Sequence, residues 1–376
     1  MQRSRTAFVI NSLAGGGAER VMSILLRNLQ EQSENVEIHL LLLDKEQQAY
    51  PVPSWIVLHQ LDARGSLLRA VVQVFLCLRR IKPAAILAFL SRSNVACVVS
   101  SMIARTPCII SERVDTSAHL GTTFAGKLKQ YIIALAYRRA TKVIAVSDGV
   151  AGSLERVFGV DAGRIEVIAN PVEVDEIRAR AARQPEAEME RPYIVSVGRL
   201  VKNKNFALLL RAYAESKIDL DLVILGDGPE LAALVELSGQ LGISARVRFL
   251  GFMENPFPLV QGARYYVSAS NAEGFPNSLV EAMATGIAVI STNCPSGPSE
   301  ILADEPRREL NDVLFAKFGV LVPQNAVGPM KSAMIELLTE ERNAHYRQTA
   351  LERVRQYTPQ RAVARYWSCF APYLNS

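Results

Sequence analysis

Short apolar runs alternate with longer stretches of helical periodicity along the whole chain, and they fall into two series. In the first, residues 6–10 are followed by Ala14-Gly15-Gly16-Gly17 and a helical stretch over 18–30. Runs at 36–43, 84–90, 107–111, 142–147 and 165–168 read as further buried strands. After Asn170-Pro171 comes a polar stretch, and a second series opens at 193–197. It continues through 220–225, 247–250, 265–268, 287–291 and 319–322. The runs show no clear alternation and are separated by helical patterns, which predicts parallel sheets covered on both faces. The expected fold is therefore α/β, with two Rossmann-like domains facing each other across a cleft. We place them at residues 1–172 and 173–358, with a hinge near 170–190, where 184–191 is acidic and poor in apolar residues. A closing helical segment, 359–376, follows the second series, and packing back on the first domain is one arrangement open to it. Ligands of such sheets bind beyond the carboxyl ends of the strands, so the site is expected in the cleft.

Composition narrows the class. A chain of 376 residues exceeds one ordinary core, and 49% hydrophobic with 21% charged residues excludes disorder. No apolar run reaches the roughly 20 residues that span a bilayer. The basic start, Met1 to Arg5, precedes too short an apolar run for a secretory leader, so a cytoplasmic protein is expected. Cys77, Cys97, Cys108, Cys294 and Cys369 never fall in C-x-x-C spacing, which supports neither a disulfide framework nor a zinc site. The four histidines include no H-E-x-x-H.

Charge is uneven. Residues 63–142 carry thirteen Lys/Arg against Glu112 and Asp115, while the whole chain is only +5. This is either a solvated face or a surface that meets lipid headgroups or a phosphorylated acceptor. Nucleic acid is the weakest partner, because aromatics do not interleave the cations and no nucleic-acid signature appears.

Candidate chemistry concentrates in the second series. Glu273-Gly274-Phe275-Pro276-Asn277-Ser278 follows a strand and opens a helix ending near Gly286. Such a loop offers unpaired N–H groups and the positive end of a helix dipole, which suits phosphate. Glu281, expected on the first helical turn, has a carboxylate suited to two adjacent ribose hydroxyls. The same letters, Ser278-Leu279-Val280-Glu281, also spell a capping box. Arg199 and Lys204 lie between a strand and the next helix, where two cations suit a diphosphate or remain ordinary surface charges. Gly226-Asp227-Gly228-Pro229 reads as a structural strand-to-helix turn. Gly15-Gly16-Gly17 permits close backbone approach but is neither a dinucleotide fingerprint nor a P-loop.

Together these segments occur in an order that resembles the retaining glycosyltransferases of family four, which have the GT-B fold. The resemblance covers nearly the whole chain, from Gly15–Arg20 through Asn170-Pro171, Gly198-Arg199-Leu200 and Lys204-Asn205 to Glu273 and Glu281. It implies that Arg199 and Lys204 hold the donor diphosphate, Glu273 contacts the donor sugar, and Glu281 binds the ribose. It further implies donor contacts from the backbone of Gly274, Phe275, Pro276, Asn277 and Ser278, and base reading near Gly251 and Met253. Gly16 and Gly17 are candidate acceptor or phosphate contacts. Many relatives carry histidine where this chain has Arg113, after Ser111-Glu112. A guanidinium supplies charge and hydrogen bonds there but shuttles no proton, so Arg113 is a candidate acceptor or phosphate contact. His119 is a possible stand-in.

The implied reaction transfers a sugar from a nucleotide donor to an acceptor hydroxyl with retention, without cofactor and without metal. Cys294-Pro295-Ser296-Gly297-Pro298-Ser299-Glu300 looks most like members that build surface glycans, several of which use a UDP-N-acetylhexosamine. The basic first domain fits peripheral binding at an anionic inner leaflet and a polyprenyl-diphosphate-linked glycan acceptor. A GDP-mannose-dependent mannosyltransferase and a sugar-nucleotide epimerase of the same architecture are the alternatives.

Overall fold

The computed structural model describes residues 3–31, 34–113 and 124–374. The chain divides into two compact units, Met1–Pro171 with Pro359–Ser376, and Val172–Thr358.

The first unit is built on a seven-stranded parallel sheet in the order β3-β2-β1-β4-β5-β6-β7. Its strands are β1 (Ser4–Ile10), β2 (Val36–Leu42), β3 (Val57–Gln60), β4 (Ala85–Phe89), β5 (Cys108–Glu112), β6 (Lys142–Ala145) and β7 (Ile165–Val167). Its helices are α1 (Gly17–Asn28), α2 (Leu67–Ile81), α3 (Ser91–Ala104), α4 (Phe124–Tyr137) and α5 (Asp148–Phe158). The apolar runs became strands because both faces are covered: β4 and β5 are buried at every residue. Sequence patterning missed β3, whose four residues, Val-Leu-His-Gln, lie at the sheet edge and stay largely exposed. Edge strands lack the two-sided burial that writes an apolar run. Local chemistry fixes the helix ends. The Ser147 hydroxyl caps α5 by accepting from Val150 N at 3.3 Å, and Gly159 (φ 64°) closes it in the left-handed region.

Crossover handedness then assigns the faces. The chain moves from β1 to β2 toward one edge and from β3 through β4, β5 and β6 toward the other. Right-handed crossovers therefore set α1 on one face and α2 to α5 on the opposite face. This leaves β1 and β4 open beside α1, and the last helix, α14 (Pro359–Leu374), packs there against α1, β1 and β4. Its Phe370 ring meets Phe8 edge-on at 5.8 Å, and Tyr366 lies 5.8 Å from Phe89. The Ser4 hydroxyl donates to Leu374 O at 2.7 Å. Burying side chains of this size contributes roughly 1.5–3 kcal/mol each, so α14 completes the core of the unit.

The second unit repeats the plan in a seven-stranded sheet ordered β10-β9-β8-β11-β12-β14-β13. Its strands are β8 (Tyr193–Val197), β9 (Asp221–Leu225), β10 (Val247–Phe249), β11 (Tyr266–Ser268), β12 (Val289–Thr292), β13 (Leu314–Phe315) and β14 (Val320–Val322). All pair parallel except β13, a two-residue antiparallel edge that patterning also missed. Helices α6 (Val174–Ala181), α7 (Phe206–Ser216), α8 (Leu231–Gln240), α9 (Phe257–Gly262), α10 (Asn277–Ala284), α11 (Pro298–Leu302), α12 (Val327–Glu336) and α13 (Glu340–Val354) complete it. The buried Ile194, Leu209, Ile224, Val267 and Met330 are central to its core.

Candidate functional site

In the second unit, successive connections run one way from β8 to β10 and the other way from β11 onward, and β8 and β11 are neighbours. The loops leaving their carboxyl ends diverge there, which is where an open α/β sheet forms a binding crevice. The loop after β8 carries Arg199 and Lys204. The loop after β11 carries Glu273 to Pro276.

The two loops are tied together. Asn203 Nδ2 donates to Ala272 O at 2.7 Å, and Asn271 N donates to Asn203 O at 2.8 Å. Lys204 Nζ donates to Glu273 Oε1 at 2.5 Å, with the two side chains 24% and 13% exposed. Arg199 is exposed and makes no ion pair among the described residues. Its loop lies on the Gly226-Asp227-Gly228-Pro229 turn: Leu200 N donates to Asp227 O at 2.9 Å, and Glu230 N donates to Leu200 O at 3.0 Å. Gly226 has φ 135°, and a Cβ there would fall 2.0 Å from Gly198 O. Its N–H also donates to Gly251 O at 2.7 Å, fixing the segment that carries Gly251 and Met253. The turn is thus a template for the loop after β8 and for the segment after β10.

Gly274, Phe275 and Pro276 are buried, and the Phe275 ring packs edge-on against Tyr357 at 5.3 Å. Helix α10 starts at Asn277 with Pro276 as its N-cap and no side-chain capping bond. Ser278 is therefore inside the helix, where its hydroxyl accepts from Tyr266 OH at 3.0 Å. The capping box spelled by Ser278 and Glu281 does not form, and Glu281 stands in the second turn rather than the first. The cause is Pro276: its ring opens the helix two residues before Ser278, and Tyr266 takes the hydroxyl. Burial raises the Tyr266 pKa, and the charges of Glu273 and Glu281 add to that rise. Burial likewise pushes the Cys294 thiol up to about 12, with Glu273 adding and Lys204 opposing.

One contributor was not legible beforehand. Gly297 (φ 95°) lies against the loop after β11, and a Cβ on it would sit 2.6 Å from Pro276 Cδ and 3.3 Å from Gly274 O. Its glycine lets the 294–297 segment support the turn into α10. The signal was present in Cys294–Glu300, but only sheet adjacency of β11 and β12 gives it meaning.

In the first unit the corresponding switch point lies between β1 and β4. Gly15 (φ 122°) follows β1, Gly16 is the N-cap of α1, and Gly17 is its first residue. Beside them Arg92 pairs with Asp44, and Arg92 Nε donates to Asn11 Oδ1 at 3.3 Å. No spacing in the sequence singled out this pair. Arg113, expected at the acceptor or a phosphate, is buried. Its guanidinium donates to the Ser111 and Tyr366 hydroxyls and to Asn170 Oδ1, and lies over the Phe89 ring at 4.8 Å. Burial lowers its pKa, against the raising effect of Tyr366 and Glu112. His119 lies outside the described residues. Among the described residues no group of three His, Cys, Asp or Glu side chains is arranged to hold a metal ion.

Two family models match. Residues 15–176 fit "Glycosyltransferase Family 4", and residues 178–356 fit "Glycosyl transferases group 1". The chain is 30% identical over 345 residues to a Campylobacter jejuni protein, covering 89% of this chain and 90% of the relative. That relative is named as N-acetylgalactosamine-N,N'-diacetylbacillosaminyl-diphospho-undecaprenol 4-alpha-N-acetylgalactosaminyltransferase. A second C. jejuni protein, an alpha-1,4-N-acetyl-D-galactosaminyltransferase named for a GalNAc-containing PP-undecaprenol glycan, is 26% identical over 80% of this chain and 82% of its own. Among solved structures, Anabaena HepE in complex with UDP and glucose superposes with a TM-score of 0.76 at 18% identity, covering 98% of this chain and all of that one.

Proposed function

The chain belongs to the family-four glycosyltransferases, whose fold is GT-B, and from that membership we propose a specific reaction. The enzyme moves a sugar, with retention, from a UDP-N-acetylhexosamine to a hydroxyl of a polyprenyl-diphosphate-linked glycan at the inner membrane face. The observation that carries this reading is the convergence of Arg199, the Lys204–Glu273 pair and the start of α10 at the β8/β11 switch point. The names of the two C. jejuni relatives support the choice of amino sugar and lipid-linked acceptor.

In this mechanism Arg199 and Lys204 hold the donor diphosphate, with the backbone N–H groups of Gly274, Phe275, Asn277 and Ser278 beside it. Glu273, oriented by Lys204, accepts hydrogen bonds from the sugar, and Glu281 accepts from the two ribose hydroxyls. Gly251 and Met253 border the base. The bond between the anomeric carbon and the phosphate oxygen breaks as the acceptor oxygen attacks the same face. The acceptor proton passes to the departing diphosphate. The protein's part is orientation and charge stabilisation, so the reaction needs no protein nucleophile, and we assign it no metal or cofactor.

The test is UDP release from UDP-N-acetylhexosamine, with and without a diphosphate-linked glycan acceptor. Acceptor-dependent release is expected. Epimerised donor without acceptor makes the enzyme an epimerase, and turnover with GDP-mannose alone makes it a mannosyltransferase. Glu281 has its own test. Glu281→Gln should keep the fold while weakening UDP binding by roughly ten-fold, the effect of losing one charge-assisted hydrogen-bonding group. Unchanged affinity in calorimetric titration removes Glu281 from the site.

A further inference from the structure

Between the end of β11 and Glu273 the chain runs through Ala269, Ser270, Asn271 and Ala272. The sheet ladder has ended there, so the backbone carbonyls of this segment need other donors. Three consecutive carbonyls find them in side chains. The Thr292 hydroxyl donates to Ser270 O at 2.5 Å, Gln324 Nε2 to Asn271 O at 2.5 Å, and Asn203 Nδ2 to Ala272 O at 2.7 Å. Each donor comes from the carboxyl side of a different strand. Thr292 is the last residue of β12, Gln324 follows the end of β14, and Asn203 lies in the loop after β8. The Asn271 side chain is held as well, its Oδ1 accepting from Asn205 Nδ2 at 3.2 Å.

A surface loop of small and polar residues ordinarily gives its carbonyls to water. Here Thr292 is fully buried and Ser270 is 2% exposed, so the bond between them is shielded from solvent. The segment that is held so firmly leads directly into Glu273. At its other end the Glu273 carboxylate is tied by Lys204 Nζ. In the proposed reaction Lys204 also meets the diphosphate, so its hold on Glu273 is then shared. The three carbonyl bonds do not depend on the donor.

We propose that Asn203, Thr292 and Gln324 are positioning residues that fix the backbone before Glu273 and so set its carboxylate against the donor sugar. The inference rests on the reading of Glu273 as the sugar contact. It implies a division of labour in which these side chains govern how the sugar is held, while the nucleotide is bound by other parts of the site. A misplacement of about 1 Å that originates away from the reacting atoms costs on the order of 10² in rate, so loosening one carbonyl should be felt at the sugar.

The experiment is a double-mutant cycle between Gln324→Ala and Glu273→Ala in the full chain. It is read as kcat/KM for UDP-N-acetylhexosamine with a diphosphate-linked glycan acceptor, and as UDP affinity by calorimetric titration. Gln324 is half-buried, and retained UDP affinity reports that the unit is folded. Gln324→Ala alone should lower kcat/KM by about ten-fold and leave UDP affinity within about two-fold. In the Glu273→Ala background the same change should cost less than about two-fold, because no carboxylate is left to place. Thr292→Val, which keeps the shape and removes the hydroxyl, should behave as Gln324→Ala does, and Thr292→Ser should restore most of the activity. Equal losses in both backgrounds, or a fall in UDP affinity that matches the fall in kcat/KM, overturn the positioning role while the transferase reading stands. Undiminished transfer by Glu273→Ala, or no transfer by the wild type, overturns the reading of Glu273 and the proposal with it.

Discussion

On the proposed mechanism, Arg199→Ala is expected to lower kcat by about 10²–10³ and to leave donor affinity within a few-fold, the scale of removing one preorganised charge-stabilising group. The asymmetry follows from when the charge is needed. In the proposed mechanism the additional negative charge on the diphosphate develops only as the sugar leaves, so Arg199 is needed most in the transition state. Arg199 is the cleaner member of the clamp to test, because it is exposed and without an ion-pair partner among the described residues. Its removal therefore costs the fold little. Lys204→Ala carries a second effect, since it strips Glu273, only 13% exposed, of its ammonium partner. That variant is expected to lose donor-sugar positioning as well as charge, and so to raise KM where Arg199→Ala does not. Steady-state kinetics with varied donor separates the two. Turnover of Arg199→Ala within a few-fold of wild type would remove the clamp from the mechanism.

The parts of this site differ in how far the sequence reveals them. Strand runs such as 193–197 and 220–225 are legible because two-sided burial leaves continuous apolar letters, and β8 and β9 occupy those positions. The edge strands β3 and β13 leave no such trace. Ser278 and Glu281 show the opposite failure, a local motif that is complete in letters and absent in the fold. A proline two residues earlier and a tyrosine on the preceding strand decide the matter, and only the second is a tertiary fact. Gly297 is invisible for a different reason. Its φ and its contact with Pro276 exist only because two loops leave neighbouring strands.

Arg113 carries the largest expected effect on stability. The family resemblance implies a cation aimed at the acceptor or a phosphate, because it stands where many relatives carry histidine. In the structure it is 6% exposed and joins segments far apart in the chain: β5 through Ser111, the Asn170 side chain, and α14 through Tyr366. Removing one member of such a buried, hydrogen-bonded charge network costs about 3–5 kcal/mol, since the partners are left desolvated and unpaired. Arg113→Ala is therefore expected to lower the melting temperature of its unit by on the order of 10 °C. Arg113→Lys should recover little of this, because an ammonium cannot reach three acceptors in the planar fork geometry. Tyr366→Phe removes a single partner and should cost about 1–3 kcal/mol. Differential scanning calorimetry reads all three. An Arg113→Ala protein that melts with wild type yet fails to bind acceptor would return this residue to the role its sequence position suggests. Loss of stability with acceptor affinity unchanged in the folded fraction would fix it as the bond between α14 and the sheet.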